Sequence, residues 1–137
     1  MKYLLDTNAV SALMKGTASV IDRLAAVEPA DVAIPQPVLA EIVFGLERLP
    51  RSKRRAALQA RFELICSELR RAEWTDDVSY AYGRIKASLE RRGTRIEDFD
   101  AAIAAHALAV NAVLVTADVD HMTRVDGLRI EDWVSQR

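Results

Sequence analysis

Two acidic side chains follow apolar segments that are typical of buried strands. Asp6 comes directly after the run from Lys2 to Leu5, and Asp118 comes two residues after the run that ends at Thr116. The carboxyl ends of parallel strands meet at one edge of a sheet, where open α/β folds bind their ligands. Neighbouring parallel strands lie about 4.8 Å apart, so carboxylates on adjacent strands can reach one ion. Taken singly, each acid is equally well explained as a helix cap.

Glu41 is predicted to lie on the apolar face of a helix. The residues three and four positions away on either side are all uncharged, and they are Pro37, Val38, Phe44 and Gly45. A carboxylate on such a face needs a partner, or else its pKa rises. The pattern therefore indicates either a functional acid or a structural one that is hydrogen-bonded to backbone.

Asp100 begins an alanine-rich run of helical character. Small side chains allow the backbone of such a helix to approach the sheet closely. Asp100, near the start of the helix, is then expected to face the same edge of the sheet. Glu97 and Asp98 are better explained as partners of the helix N-terminus, where a capping box is predicted to begin at Thr94. His106, further along the run, is interpreted as a packed histidine rather than a ligand.

Four carboxylates that converge on one edge repel one another, and a phosphate substrate adds to that repulsion. A divalent cation removes both difficulties, and a set of oxygen ligands favours Mg²⁺ or Mn²⁺ over zinc. A metal in such a site orients and activates water and stabilises the leaving oxygen of a phosphodiester. The sequence therefore predicts a metal-dependent hydrolase with the candidate ligands Asp6, Glu41, Asp100 and Asp118.

Asp120 competes with Asp118 for the fourth acidic position. Asp118 lies closer to the end of the preceding strand, which fixes where its side chain points, whereas Asp120 lies further into a turn or short helix. We therefore expect Asp118 to be the ligand and Asp120 to be a solvated or capping acid beside His121. The sequence assigns no role to His121.

Basic residues are concentrated in two stretches, although the formal net charge of the chain is only −1. Eight basic residues stand against two acidic ones from Arg48 to Arg71, and five stand against one from Arg84 to Arg95. Basic helices beside an acidic site would hold an RNA backbone. A charged run of this kind is also typical of a solvated helix face.

Short apolar segments alternate with helical patterns along the chain. Strands are predicted at residues 2–5, 31–35, 72–74, 113–116 and 128–130. Helices are predicted from about residue 9, at 38–49, 51–69 and 76–92, and from the 94–97 capping box to 110. This alternation predicts an α/β fold, namely a three-layer α/β/α sandwich with a short, mostly parallel central sheet.

The length of 137 residues and the 50% share of hydrophobic side chains predict a single domain from residue 1 to 137. Cys66 is alone, so no disulfide framework is expected, which favours a reducing compartment. The first apolar run ends at Asp6, too early for a signal peptide, and no uncharged run is long enough to span a bilayer. We therefore expect a cytoplasmic protein that has no membrane partner.

Four segments of the chain, taken in order, resemble PIN-domain ribonucleases of the VapC toxin type. They are the opening MKYLLDTN, the embedded Glu41, the stretch DAAIAAHAL that begins at Asp100, and LVTAD at residues 114–118. The resemblance covers essentially the whole chain. It implies that the family's acidic metal-binding positions are Asp6, Glu41, Asp100 and Asp118, that the hydroxyls beside the site are Thr7 and Thr116, and that the supporting polar residue is Asn8.

The same resemblance implies Mg²⁺-dependent endoribonuclease activity on RNA. It also implies a homodimer and a VapB-type antitoxin, with which the protein forms a higher assembly. Two departures from the family concern packing or a turn and leave the chemistry unaffected. Met122 stands where the family often has Phe, and Asn111 stands where it often has Gly.

Two other classes of protein share parts of this pattern. Phosphotransfer proteins of the haloacid-dehalogenase or response-regulator kind also place an Asp after the first strand. The former need a second Asp two residues on, where this chain has Asn8. A non-catalytic PIN-like module would use the basic helices to hold RNA or a partner protein, but a binder of anions gains nothing from a focus of negative charge.

Overall fold

A five-stranded sheet forms the centre of the fold. The structure is a computed structural model and describes residues 1–135. The strands are β1 (Tyr3–Leu5), β2 (Val32–Pro35), β3 (Arg70–Ala72), β4 (Val113–Val115) and β5 (Ile130–Glu131). Their order across the sheet is β3-β2-β1-β4-β5, and every neighbouring pair is parallel. The predicted parallel α/β architecture is therefore confirmed.

The middle strand, β1, sets the geometry of the carboxyl edge. Leu4 and Leu5 have no exposed surface, and all four residues of β2 beside them are buried, as expected for strands that are covered on both faces. Leu5 is paired with Val115 of β4. The residues that follow β1 and β4 therefore leave the sheet side by side.

Helices flank this sheet throughout the described residues. They are α1 (Thr7–Met14), α2 (Ala18–Ala25), α3 (Gln36–Glu47), α4 (Lys53–Glu68), α5 (Asp76–Arg91), α6 (Asp98–Ala109) and α7 (Val119–Met122), and a 3₁₀ turn (Pro29–Asp31) precedes β2. Helix α1 contacts α2, α3 and α4, while α5 packs along α6. Within residues 1–135 no helix combines the length and the apolar character needed to cross a membrane.

Helix α6 is the alanine-rich element, and residues 101–107 are all buried. Five of these seven residues are alanine, so the helix backbone lies close to its neighbours. His106 is a packed histidine, as predicted. Its Nδ1 lies 2.9 Å from the carbonyl oxygen of Ala102, and its ring meets Trp74 edge-on with the centroids 5.3 Å apart.

The predicted position of β3 is wrong. The strand is Arg70–Ala72 rather than residues 72–74, and Arg70 lies opposite Ala33 of β2. Pairing with an existing strand overrides the low strand preference of charged residues, because strand propensity depends strongly on the neighbouring strands. The last strand is also shifted, to residues 130–131.

Two helix predictions also need correction. The helix predicted from about Ala9 begins at Thr7, and the segment up to residue 25 forms two helices, which are separated at Gly16 with a φ of +78°. The predicted capping box does not form. Helix α6 begins after Glu97, whose side chain makes no capping hydrogen bond, and the buried Oγ1 of Thr94 has no partner within residues 1–135.

Turn and packing features agree with the sequence in three places. Gly93 has a φ of +70° just after α5, where a helix stop was predicted. Asn111 has a φ of +55°, a left-handed conformation that glycine adopts most readily and asparagine tolerates. Met122 has no exposed surface and belongs to the core. The two departures from the family pattern therefore concern a turn and packing.

Candidate active site

Asp6 lies at the centre of the carboxyl edge, one residue beyond β1. Its backbone N–H donates to the carbonyl oxygen of Val115 at 2.9 Å, which connects it to β4. Its Oδ1 accepts a 2.7 Å hydrogen bond from the backbone N–H of Thr7, so the carboxylate also caps α1. Asp6 is only 3% exposed. The sheet and the helix together fix its position.

A polar network joins the ends of β1 and β4. Thr116 Oγ1 donates to Asp6 Oδ2 at 2.7 Å and accepts from the backbone N–H of Asp118 at 2.9 Å. Asn8 Nδ2 donates to Thr116 Oγ1 at 3.1 Å, and Asn8 Oδ1 accepts from the backbone N–H of Ala117 at 2.8 Å. This network holds the carboxylate of Asp6 and orients the segment that carries Asp118.

Glu41 reaches the site from α3 and is held by a hydroxyl. Thr7 Oγ1 donates to Glu41 Oε1 at 2.6 Å, so the partner of this acid is a side chain rather than backbone. The prediction that Glu41 lies on a buried face is only half correct. Val38 is fully buried, but Phe44 is 63% exposed. Glu41 is consequently half-buried, at the border between the core and the surface.

Asp100 lies in the first turn of α6 and is half-buried. Burial, and then repulsion from the other three acids of the predicted set, raises the pKa of Asp100 to about 6. His121 lies close enough to oppose this rise. Asp100 makes no hydrogen bond through its carboxylate within residues 1–135. This acid is therefore placed in the field of the others without a partner of its own.

The same electrostatic environment acts on Asp6. Burial raises the pKa of Asp6, the hydrogen bonds from Thr116 and Thr7 lower it, and the nearby carboxylates of Glu41 and Asp118 raise it further, for a net increase. The structure thus brings the four acids of the predicted set close enough to influence one another.

Asp118 caps the short helix α7 and lies against a histidine to which sequence reasoning gave no role. His121 Nδ1 is 2.9 and 3.0 Å from the two carboxylate oxygens of Asp118. The available signal was the three-residue spacing of the pair on one helical turn. Asp120 is exposed in α7, whereas Asp118 is half-buried and is among the main causes of the raised pKa of Asp100.

The donor set of the site fits a hard divalent cation. All four acids offer oxygen, and a cation among them relieves the repulsion that raises the pKa of Asp100. As they stand, no three Asp, Glu, His or Cys side chains from residue 1 to 135 are grouped closely enough to hold one ion. Mg²⁺ usually keeps several waters and binds one or two carboxylates directly, so the arrangement is compatible with its chemistry.

A polar cavity of about 830 Å³ opens beside the acids. Glu41, Asp100 and His121 line it, together with Arg95 and Phe99. Sequence reasoning missed Arg95 and Phe99 as site residues. A signal was available for Phe99, which directly precedes Asp100 in the chain.

A second cavity, of about 410 Å³, connects the site with the basic stretch that runs from Arg48 to Arg71. This groove lies between α1, α3 and α4, and its lining includes Thr7 and Glu41 of the site. Phe44 contributes apolar surface, and Arg48 and Arg54 contribute positive charge. The site is therefore adjacent to a surface of mixed apolar and basic character.

Comparison with known proteins identifies the family of this chain. The PIN domain family model matches residues 3–128 of this chain. Ribonuclease VapC2 of Rickettsia felis is 33% identical over 135 residues, which cover 97% of this chain and 98% of the relative. The chain therefore belongs to the PIN domain family, in the group of the VapC ribonucleases.

Further relatives and solved structures agree with this assignment. The tRNA(fMet)-specific endonuclease VapC of Salmonella typhimurium is 29% identical over 133 residues, with 97% of this chain and 98% of the relative covered. The structure of VapBC2 from Rickettsia felis bound to a DNA fragment from its promoter matches with a TM-score of 0.87 and 30% identity. That match covers 97% of this chain and 99% of the other. The predicted fold class is confirmed over nearly the full length.

Proposed function

We propose that this protein is a metal-dependent endoribonuclease that hydrolyses RNA phosphodiester bonds and serves as the toxin of a toxin–antitoxin pair. The observation that carries the proposal is the cluster of four acids, in which burial and mutual repulsion raise the pKa of Asp100 to about 6. Such a concentration of like charge at a cavity is typical of a functional site. Membership in the group of VapC ribonucleases supports the same activity.

The proposed cofactor is Mg²⁺, with Mn²⁺ as the alternative, because every donor is an oxygen atom. Asp6, Asp100 and Asp118 would hold the ion directly or through water. When bound, the ion would supply an activated water and stabilise the leaving oxygen. A magnesium titration followed by melting temperature tests this assignment independently of activity.

Glu41 would be a further ligand or would polarise the attacking water. The hydroxyl of Thr7 occupies Oε1 of Glu41, which leaves Oε2 available to accept a hydrogen bond from that water. The water would attack the phosphorus in line with the leaving oxygen. Thr116 and Asn8 would act through Asp6, because partners that hold a metal-binding carboxylate fix its orientation.

The proposed partner is a VapB-type antitoxin. A segment of this antitoxin would lie over the acidic edge and place Arg or Lys against the carboxylates, since a cation there satisfies them and excludes the metal. The groove beside the site, where Phe44 is 63% exposed, offers apolar surface to the same segment. A complex whose acids stay open and still bind Mg²⁺ would contradict this mode of inhibition.

We further propose that residues 1–137 form one domain and that the protein acts in the cytoplasm as a homodimer. With its antitoxin it would form a higher assembly. The lone Cys66, half-buried and unpaired, fits a reducing compartment. Sedimentation of the protein, alone and with its antitoxin, measures both assemblies.

Cleavage mapping on total RNA tests the proposed activity directly. We expect cuts at defined positions with Mg²⁺, and none with EDTA or with Asp100→Asn. Asp22→Asn is the matched control, because Asp22 is an exposed acid of α2 outside the acidic set. An unmodified protein that leaves RNA intact with both Mg²⁺ and Mn²⁺ would contradict the proposal.

A further inference from the structure

We propose that Phe99 and Arg95 form a nucleotide subsite beside the acids. Phe99 would stack against a nucleobase next to the scissile phosphate, and Arg95 would bind a phosphate of the same nucleotide. The inference rests on the proposed function, because it takes RNA as the substrate. Neither residue belongs to the acidic set or to the hydrogen-bond network that holds it.

The position of Phe99 is the first observation. Its side chain is 47% exposed, although residues 101–107 of the same helix are buried. A single exposed hydrophobic residue is common and needs no explanation. Phe99 differs because it lines the same cavity as Asp100 and Glu41 and is joined to Asp100 by one peptide bond. Its ring therefore lies at the rim of the acidic site.

The second observation is that Arg95 is a cation without an anionic partner. Within residues 1–135 its guanidinium makes no hydrogen bond or ion pair, and only its backbone carbonyl is bonded. Two neighbouring cations differ, since Lys86 pairs with Asp98 at 3.1 Å and Arg92 pairs with Asp126 at 3.5 Å. An unpaired guanidinium at a cavity is suited to an incoming phosphate, which it can bind with two hydrogen bonds.

The segment that carries both side chains is anchored. Arg124 Nη1 donates to the carbonyl oxygen of Arg95 at 2.8 Å, and the ion pair of Lys86 holds Asp98. Ile96, between them, packs against the hydrophobic core. Phe99 and Arg95 are therefore presented from a fixed backbone, which lowers the entropy cost of binding.

The chemistry of the cavity favours one unpaired nucleotide as its occupant. A volume of about 830 Å³ lies within the range of small-ligand sites. A base that stacks on an aromatic side chain must be free of its own helix, as in RNA loops and single strands. Every base has a face that can stack. The subsite would therefore select an unpaired nucleotide and discriminate weakly between bases.

The kinetic test compares variants that keep or remove the aromatic ring. Phe99→Leu removes the ring and Phe99→Tyr keeps it. Tyr80→Leu is the matched control, because Tyr80 is 70% exposed and does not line this cavity. On an unpaired oligoribonucleotide with Mg²⁺, we expect Phe99→Leu to lower kcat/KM about 10-fold or more, and the other two variants to stay within about twofold of the unmodified protein.

A binding measurement separates stacking from chemistry. The probe is an oligoribonucleotide with one 2-aminopurine, whose fluorescence is quenched when the base stacks. We measure it with Mg²⁺ present and with each Phe99 or Arg95 variant combined with Asp6→Asn, which prevents cleavage. Quenching should persist with Phe99→Tyr and be lost with Phe99→Leu. Arg95→Ala should weaken binding and reduce its salt dependence by about one phosphate contact, and Arg95→Lys should restore part of the affinity.

The outcomes distinguish this inference from the proposed function. An unmodified protein that cuts RNA, together with a Phe99→Leu variant of equal kcat/KM and equal quenching, would overturn the subsite and leave the nuclease assignment intact. An unmodified protein that does not cut RNA would count against the proposed function. A Phe99→Leu variant that is impaired only in binding its antitoxin would overturn the subsite and assign the ring to the partner protein.

Discussion

The acidic site has two parts that are built differently. The inner part consists of Asp6, Asn8 and Thr116, which lie at the ends of β1 and β4. Asp6 is only 3% exposed, and hydrogen bonds from Thr7 and Thr116 hold both of its carboxylate oxygens, while Asn8 donates to Thr116. The outer part is the set of acids that the helices and the turn after β4 supply, and each of them is half-buried. It consists of Glu41, Asp100 and Asp118.

This difference separates two tasks of the site. The parallel register of β1 and β4 fixes the inner carboxylate before any ligand arrives, which is the basis of a preorganised site. Two of the outer acids have few partners, since the carboxylate of Glu41 is bonded by Thr7 and that of Asp100 by no residue from 1 to 135. Asp118 differs, because both of its carboxylate oxygens lie within 3.0 Å of His121 Nδ1. The unbonded oxygens of Glu41 and Asp100 remain available to an ion and its waters. Strands β1 and β4 therefore fix the position of Asp6, and the helices and the turn after β4 contribute the other three carboxylates.

Neutralising one acid of each part should produce the largest effect. We expect Asp6→Asn and Asp100→Asn each to lower cleavage more than about 1,000-fold, because each removes charge that holds the ion. In EDTA the two should differ. Asp100→Asn removes an unpartnered charge and should raise the melting temperature, whereas Asp6→Asn disrupts the bonds to Thr116 and Thr7.

Calorimetry in EDTA and cleavage rates in Mg²⁺ measure the two effects separately. Equal stabilisation by Asp6→Asn and Asp100→Asn would remove the distinction between the inner and outer parts. A variant that cuts RNA at the unmodified rate would exclude that acid from the site.

Asp118→Ala and Asp120→Ala test which acid completes the outer part. We expect Asp118→Ala to lower cleavage about 100-fold at limiting Mg²⁺, and Asp120→Ala to lower it less than about threefold. The limiting concentration prevents mass action from rescuing a weakened site. The reverse ranking would move the ligand to Asp120, and equal losses would point to a site with two metal ions.

Thr116→Val tests the hydrogen bonds of the inner part. Valine keeps the shape of threonine but leaves Asp6 Oδ2, Asn8 Nδ2 and the N–H of Asp118 without the hydroxyl. We expect a loss of about 10- to 100-fold in metal affinity and of about 1–3 kcal/mol in the free energy of unfolding. Thr7→Val is the control from the outer part, and it should cost less stability. A larger loss for Thr7→Val would contradict the assignment of rigidity to the inner part.

The smallest effect that we expect is a change in the free energy of unfolding with pH, which arises from the titration of Asp100. Its pKa is about 6 in the folded protein, against an ordinary value of 3.8. The folded state therefore binds this proton more tightly than the unfolded state does. The corresponding stability is fully present below pH 3.8 and is lost as pH rises through about 6.

In EDTA we thus expect the melting temperature of the unmodified protein to rise, relative to that of Asp100→Asn at the same pH, as pH falls from about 7 to about 5. With saturating Mg²⁺ the gain should vanish, because a proton then competes with the ion. A difference between the two proteins that does not change with pH would contradict the raised pKa.

The inner part of the site could be predicted from the sequence because its signals are local. Short apolar runs before Asp6 and before Thr116 identify two strands, and parallel pairing brings their carboxyl ends together. The observed pairing of Leu5 with Val115 confirms that these strands are neighbours. The order of residues and the geometry of a parallel sheet were enough to place Asp6, whereas the roles of Asn8 and Thr116 were implied only by the resemblance to PIN-domain ribonucleases.

The outer part was less accessible because it depends on how helices pack. Helical spacing shows that Glu41 shares a face with Val38 and Phe44, but not that one of these is buried and the other exposed. The position of β3 depends in the same way on its pairing with β2. Contacts between distant segments decide which side of a helix is buried and where a strand begins, and these contacts cannot be read from a single sequence.

The basic stretch from Arg48 to Arg71 shows a similar limit of prediction from sequence. Arg55 Nη1 donates to the carbonyl of Leu49 at 3.0 Å, Arg61 Nη1 to that of Met14 at 2.8 Å, and Arg71 Nη1 to that of Cys66 at 2.7 Å. These guanidinium groups satisfy backbone carbonyls of the fold. A count of charges along the chain therefore overstates the basic surface that RNA can contact.

The alanine-rich helix α6 has a genetic consequence. Residues 101–107 are buried and five of them are alanine, so a larger side chain there displaces the helix and moves Asp100 with it. In a selection for cells that survive expression of this protein, mutations of alanine to valine or threonine along α6 should appear beside those at the four acids. The buried alanines of α6, which have no chemistry of their own, would then be as large a mutational target as the acids of the site.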